Sequence, residues 1–179
     1  MTHDNVIAGF TLIEILVAAT IISLLSTIGF ISYQATGRIA RDAKRKADLQ
    51  QIRSALEVYK SVNRVYPMTG SNLWYSSESG DDHLPDVVSR ADYVPGLEPN
   101  YIAKLPKDPK GGISTISTCN DVPPYMRAYL YRSDDGSEYK LLSHCAPEAA
   151  NWSTNDPYYD LKRGTWAWQV SSGANAYLY

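Results

Sequence analysis

Residues 8–29 read AGFTLIEILVAATIISLLSTIG and carry one charged side chain, Glu14. From Phe10 to Ser32 there is no Lys, Arg, Asp or Pro. As a helix this run rises about 1.5 Å per residue and spans roughly 34 Å, enough for a hydrocarbon core of ~30 Å. A carboxylate at mid-bilayer costs ~2.5–3.5 kcal/mol on insertion scales, so its presence in such a segment points to a function. Glu14 lies near the start of the run, where the helix dipole favours an anion. After Arg38 the sequence is polar enough to be soluble. The chain therefore divides into a membrane-length segment and a soluble body.

Upstream, MTHDNVIAG forms a short polar leader. A secretory signal places its small-residue cleavage site after the apolar stretch. Here the small pair Ala8-Gly9 precedes that stretch, so cleavage there leaves the apolar segment on the mature chain. Downstream, no Pro interrupts QATGRIARDAKRKADLQQIRSALEVYKSVNRVY. Ala40, Ala43 and Ala47, then Ile52, Leu56 and Tyr59, recur at helical spacing. That stripe predicts an amphipathic helix, with the intervening Arg, Lys, Asp and Gln on its other face. Arg38, Arg41, Lys44, Arg45 and Lys46 then read as a juxtamembrane or solvated basic cluster. Gly29 and Gly37 each weaken the helix by up to about 1 kcal/mol. Pro67 ends it. One helix from about Phe10 to about Val62, roughly 80 Å long, is expected. Its first half, apolar all round, needs lipid or other copies of itself. Its second half packs on a globular domain.

From Tyr66 to about Asp121, stretches such as TGSNLWYSSESGDDHLPD and LPKDPKGG read as ordered loops with one short helix near 84–92. RAYLYRSDDGSEYKLLSH reads as a hairpin about Asp134-Asp135-Gly136. Tyr129 and Tyr131, then Tyr139 and Leu141, alternate as a half-buried ladder would. TWAWQV and NAYLY suggest further strands. The fold class is α+β: a long N-terminal helix packed on a small C-terminal antiparallel sheet. The expected divisions are a leader, 1–9, a transmembrane and assembly helix, 10–32, an amphipathic continuation, 33–65, and a head, 66–179.

GFTLIE at 9–14 resembles the prepilin cleavage and methylation motif of type IV pilins and type II secretion pseudopilins. The likeness continues through RDAKRKADLQQIRSALEVYKSVNRVYP and resumes at IAKLPKDPKGG and PYMRAYLYRSDDG. It covers the N-terminal third well and the rest in patches. Two departures stand out: His3 and Asp4 replace the usual basic residue of the leader, and Ile31 stands where a proline is often found. The resemblance implies a pilin-like fold and cleavage between Gly9 and Phe10 by a membrane-embedded prepilin peptidase. It also implies methylation of the new Phe10 amine. Subunits would then polymerise into a helical filament, driven by an inner-membrane assembly platform and a cytoplasmic ATPase. The precursor would sit in the inner membrane and the filament would be extracellular or periplasmic.

After cleavage the Phe10 amine is largely protonated at neutral pH. It lies one turn from Glu14 on the same helix face. The pair can form within one chain or between neighbours. The intersubunit form is preferred, because an unpaired buried charge penalises wrong registers. The expected function is a structural subunit of a type IV pilus-like filament. The alternative is a type II secretion pseudopilin of a periplasmic pseudopilus, and behind it a noncatalytic membrane-anchored binding protein.

The other candidates are weaker in chemistry. With 17 basic and 19 acidic residues the net charge is −2, which gives no case for nucleic-acid binding. Cys119 and Cys145 have no His pair at ligand spacing and do not make a four-ligand zinc site alone. A disulfide in an oxidising compartment is preferred over two buried thiols. Asp134, Asp135 and Glu138, and separately Asn155, Asp156 and Asp160, form acidic loop clusters. Calcium takes 6–8 oxygens. Major pseudopilins often bind it in a C-terminal loop, but the glycine-rich pattern of that loop is not reproduced here. Asp156 and Asp160 are thus calcium candidates set against plain turn chemistry, which is favoured. Ser143-His144-Cys145 invites a nucleophile reading, but no base–acid arrangement supports it, and no enzyme is expected. The 14 Tyr and 4 Trp fit a sheet core and inter-subunit contacts.

Overall fold

The computed structural model describes residues 10–79, 85–114, 119, 126–148, 153–176 and 179. The chain divides into two compact units, one ending at Arg38 and the other running from Ile39 to Tyr179. A single helix, α1, covers Leu12–Asn63 and continues unbroken through Gly29 and Gly37. It ends where Arg64 takes a left-handed φ of 71°. The Arg64 N–H donates to the Lys60 carbonyl at 2.8 Å, and Asn63 Nδ2 donates to the Tyr59 carbonyl at 3.0 Å. These bonds satisfy carbonyls that a helix C-terminus leaves open. Pro67 follows shortly after, as expected of a residue that cannot continue a helix.

Within the second unit the helix presents a different face from the one its alanines suggest. Ala40, Ala43 and Ala47 are exposed. The buried face instead carries Asp42, Arg45, Asp48, Leu49, Ile52, Ala55 and Leu56. This corrects the alanine stripe and, at Arg45, the solvated basic cluster, of which Arg38 and Lys44 are exposed as expected and Arg41 and Lys46 half-buried. The cause is mutual pairing: charges are buried here because each has an opposite charge to meet.

Six strands form one sheet in the order β2-β1-β3-β4-β6-β5. They are β1 Trp74–Ser76, β2 Val87–Ser89, β3 Ala128–Arg132, β4 Lys140–His144, β5 Tyr159–Asp160 and β6 Gly164–Ser171. The β3–β4 hairpin about Asp134-Asp135-Gly136 and the strand at TWAWQV form as expected. Three expectations need correction. The sheet is mixed rather than antiparallel, because β1 pairs with β2 in parallel. No helix forms among the described residues near 84–92, where β2 lies instead. NAYLY is no strand at its described positions: Asn175 and Ala176 lie in turn-like structure, and residues 177–178 are outside the described residues.

The hairpin is also buried on both faces, not one. On the helix side, Tyr129, Tyr131, Tyr139, Leu141, Trp168 and Val170 pack in one core with Leu49, Ile52 and Leu56. On the other side, Ala128, Leu130 and Leu142 join Trp74 and Val87 in a second cluster. Each fully buried large apolar side chain contributes roughly 1.5–3 kcal/mol. Of the buried tyrosine hydroxyls, Tyr129 donates to Asp48 Oδ2, Tyr131 to the Pro67 carbonyl and Tyr93 to the Pro106 carbonyl, each at 2.8 Å, whereas that of Tyr139 has no hydrogen-bond partner among the described residues. A disulfide joins Cys119 to Cys145, just past β4, with Cα atoms 5.3 Å apart.

Candidate assembly and processing site

The sequence TLIE at the helix start closes on itself. The Thr11 backbone N–H and hydroxyl both donate to Glu14 Oε2, each at 2.7 Å. The Glu14 backbone N–H donates back to Thr11 Oγ1 at 3.3 Å. This reciprocal pattern is a capping box, with Thr11 as N-cap and Glu14 three residues on. It satisfies two of the four N–H groups that a helix start leaves open. Thr11 is the residue that sequence reasoning missed. Its signal was legible: a Thr followed three residues later by a Glu, immediately before an apolar run.

Phe10 and Thr11 precede the helix, and Phe10 is 84% exposed. Gly9, expected on the other side of the scissile bond, lies outside the described residues. In the unprocessed chain the Phe10 nitrogen is a peptide amide, so Glu14 has no amine partner there and is held by Thr11 instead. The large apolar side chains that follow, from Leu12 through Leu16, Ile22 and Leu25 to Phe30, are all exposed. Hydroxyls within this run are satisfied inside the helix: Thr20 donates to Val17 O, Ser23 to Ala19 O and Thr27 to Ser23 O, at 2.7–2.8 Å. The segment therefore shows an apolar surface on which these three hydroxyls are internally paired, as a lipid or helix-packed environment demands. Among the described residues α1 is long and apolar enough to cross a membrane.

The other candidates fall in the second unit. Arg45, fully buried, meets Asp108 through two nitrogens at 2.7 and 3.1 Å, Asp42 at 2.7 Å and Glu148 at 3.0 Å. Arg41 grips Glu148 with two further bonds, at 2.8 and 2.7 Å. The Glu148 N–H donates to Asp42, and the N–H groups of Lys110 and Gly111 donate to Asp108. Burial acts to raise the Glu148 carboxyl, but the Arg41 and Arg45 guanidinium groups prevail and hold it at about 2. This network ties α1 to the KDPKGG loop and to the segment after β4.

Asp156 and Asp160 are placed apart from each other's partners. Asp156 pairs with Lys46 at 2.5 Å and accepts from the Tyr158 N–H. Asp160 pairs with the buried Lys140 amine at 3.0 Å and with Arg163 at 3.4 Å, and caps the N–H groups of Lys162 and Arg163. Burial pushes the Lys140 amine down to about 8, against the pull of Asp160. Carboxylates already neutralised by Lys and Arg do not fit a calcium site. Asp135 serves turn chemistry, accepting from Ser137. Among the described residues, Cys119, His144 and Cys145 bring their ligand-type atoms within 4.8 Å of one another, with the two sulfurs joined in the disulfide.

Comparison with known proteins bears on this arrangement. Residues 5–30 match the prokaryotic N-terminal methylation motif. Curated proteins named type II secretion system core protein G align over 58% of this chain. The protein from Klebsiella michiganensis is 34% identical, with 68% of its length covered. Those from Escherichia coli K12 and Pseudomonas aeruginosa are 31% and 30% identical, with 66% and 68% covered. No solved structure matches. These relatives carry the name of a secretion-system protein, so the pseudopilin alternative fits better than the pilus-like filament put first on sequence. With its methylation motif at 5–30 and this likeness over 58% of its length, the chain belongs to the family of type II secretion system core protein G, the major pseudopilins.

Proposed function

We propose that this chain is the repeating structural subunit of a periplasmic pseudopilus that serves type II secretion. The observation that carries the reading is the capped helix whose apolar side chains are exposed from Phe10 onward, ahead of a head with its own core. Such a surface is stable in lipid or against copies of itself, but not in water. Residues 1–9 act as a leader that the prepilin peptidase removes between Gly9 and Phe10, after which the Phe10 amine is methylated. Gly9 admits the close backbone approach that a protease needs. The precursor waits in the inner membrane through residues 10–32, and a platform and ATPase draw it into the filament. On arrival, the Phe10 amine of one subunit meets Glu14 of its neighbour. Thr11 keeps the carboxylate satisfied until then. The subunit does no chemistry of its own in this role.

The test is coexpression with a type II assembly apparatus. Glu14→Val is expected to be cleaved and methylated normally, shown by a mass beginning at methylated Phe10, and to lower filament yield on the order of tenfold or more. A tenfold weaker association constant corresponds to ~1.4 kcal/mol, well within the cost of a buried charge left alone. Normal filament yield from this variant rejects the registry role. Gly9→Leu is expected to accumulate as the uncleaved precursor.

A further inference from the structure

The Cys119–Cys145 disulfide has a third buried donor beside it. Cys119, His144 and Cys145 are all buried, and their ligand atoms lie within 4.8 Å of one another. Cys145 Sγ is 3.3 Å from His144 Nδ1. Neighbouring residues on a strand direct their side chains to opposite faces. Here that alternation fails because Cys145, one residue past β4, has a left-handed φ of 53°. The break brings the Cys145 sulfur and the His144 ring to one side. Trp166 stands edge-on to the imidazole, with ring centroids 5.3 Å apart, and limits where it can lie.

Two sulfurs and one imidazole are the donor set of three-ligand zinc and related soft-metal sites, with a fourth position left for water. Around a tetrahedral zinc, with Zn–S near 2.3 Å and Zn–N near 2.0 Å, donor atoms stand about 3.5–4 Å apart. The sulfur–nitrogen separation of 3.3 Å is already close to that. The two sulfurs need only part from bonding distance by a small side-chain movement.

We propose that the reduced chain binds one soft divalent cation of the zinc class through Cys119 Sγ, Cys145 Sγ and His144, so that disulfide and metal are alternative closures of the same loop. A dithiol reductant supplies two electrons and two protons. The S–S bond breaks, two thiols form, and the reductant becomes its own disulfide. Metal binding then releases the two thiol protons, forms two metal–sulfur bonds and one metal–nitrogen bond, and takes a water as fourth ligand. Thiol–disulfide exchange with an oxidised dithiol reverses the sequence and expels the ion. Either closure ties residue 119 to the end of β4. The reduced chain thereby keeps its two sulfurs together until they are oxidised.

The experiment uses the full chain in detergent, reduced with dithiothreitol and desalted without oxygen, with Co²⁺ as the optical probe. One Co²⁺ per chain is expected, with thiolate-to-cobalt charge transfer and the intense visible bands of a four-coordinate site. One equivalent of Zn²⁺ should displace it, and the oxidised chain should show neither signal. His144→Ala is expected to weaken Zn²⁺ binding at least tenfold while still forming the disulfide on oxidation. Cys119→Ser should abolish the charge-transfer band. Absence of that band in the reduced chain, or a His144→Ala variant that binds as tightly as the parent, overturns the proposal. Near-ultraviolet circular dichroism guards against loss of fold. A reduced head that keeps or regains its aromatic signal with Zn²⁺ supports the site, and one that stays unfolded with Zn²⁺ rejects it.

Discussion

Arg45 is fully buried, and its guanidinium meets three carboxylates drawn from the helix, the loop at Asp108 and the segment at Glu148. Burying a guanidinium costs several kcal/mol, which only near-ideal pairing recovers. The two-nitrogen grip on Asp108 supplies that geometry. Arg45→Met removes the cation and leaves Asp42 and Asp108 buried beside it. We expect a loss of about 3–5 kcal/mol, measured by urea unfolding of the head. Glu148 adds a pH dependence of known sign. Its folded carboxyl is held at about 2, below the ordinary 4.5. Its contribution is therefore complete above about pH 4.5 and is lost as pH falls toward 2. The stability gap between the parent and Glu148→Gln should shrink across that window; a constant gap would show that the charge is not what matters. None of this was legible in the sequence. RIARDAKRKAD reads as a solvated charged face, because Asp108 and Glu148 stand 63 and 103 positions from Arg45. Helical spacing ranks alanine above arginine for burial, and only tertiary partners reverse that order.

At the scale of elements, legibility followed length and local chemistry. The helix spans 52 residues of sustained pattern, and its boundaries were readable to within a residue or two at each end. The β3–β4 hairpin announced itself through alternating Tyr and Leu about an Asp-Asp-Gly turn. β1 and β2 did not, since each has three residues in a stretch rich in turn formers and takes its order from pairing with distant partners. The hairpin turn carries a second constraint that sequence shows only as a glycine. Gly136 has φ +77°, and a Cβ there would stand 3.0 Å from both the Tyr66 carbonyl and Val65 Cβ. Tyr66 in turn donates its N–H to the Gly136 carbonyl at 2.8 Å, so the turn is fastened to the helix exit. Gly136→Ala combines left-handed strain with a backbone clash and is expected to cost about 1–3 kcal/mol. Gly111→Ala is the control: its φ is +58° but nothing lies within 4 Å of the added Cβ. Thermal unfolding should rank Gly136→Ala below Gly111→Ala. Equal losses would mean that strain alone operates and that the contact with Tyr66 is relaxed away.

For the whole molecule, the division at Arg38 and Ile39 separates two kinds of stability. Both core clusters draw their residues from Leu49 onward, and the ion-pair network begins at Arg41. The second unit therefore holds its own core, its own disulfide and its own polar network. The first unit has a capped helix with exposed apolar side chains, and its stability has to come from surroundings that bury them. A fragment covering 39–179 should accordingly stay soluble and monomeric without detergent. It should unfold in one cooperative step, with a midpoint within about 3 °C of the head transition of the full chain in detergent. That interval corresponds to ~1 kcal/mol for a domain of this size. Such a small loss fits the removal of a helical segment whose described large apolar side chains are exposed. A fall of 10 °C or more, or precipitation of the fragment, would mean that residues before Ile39 contribute to the head's stability. The apolar segment would then have a folding role in addition to the one proposed for it in assembly.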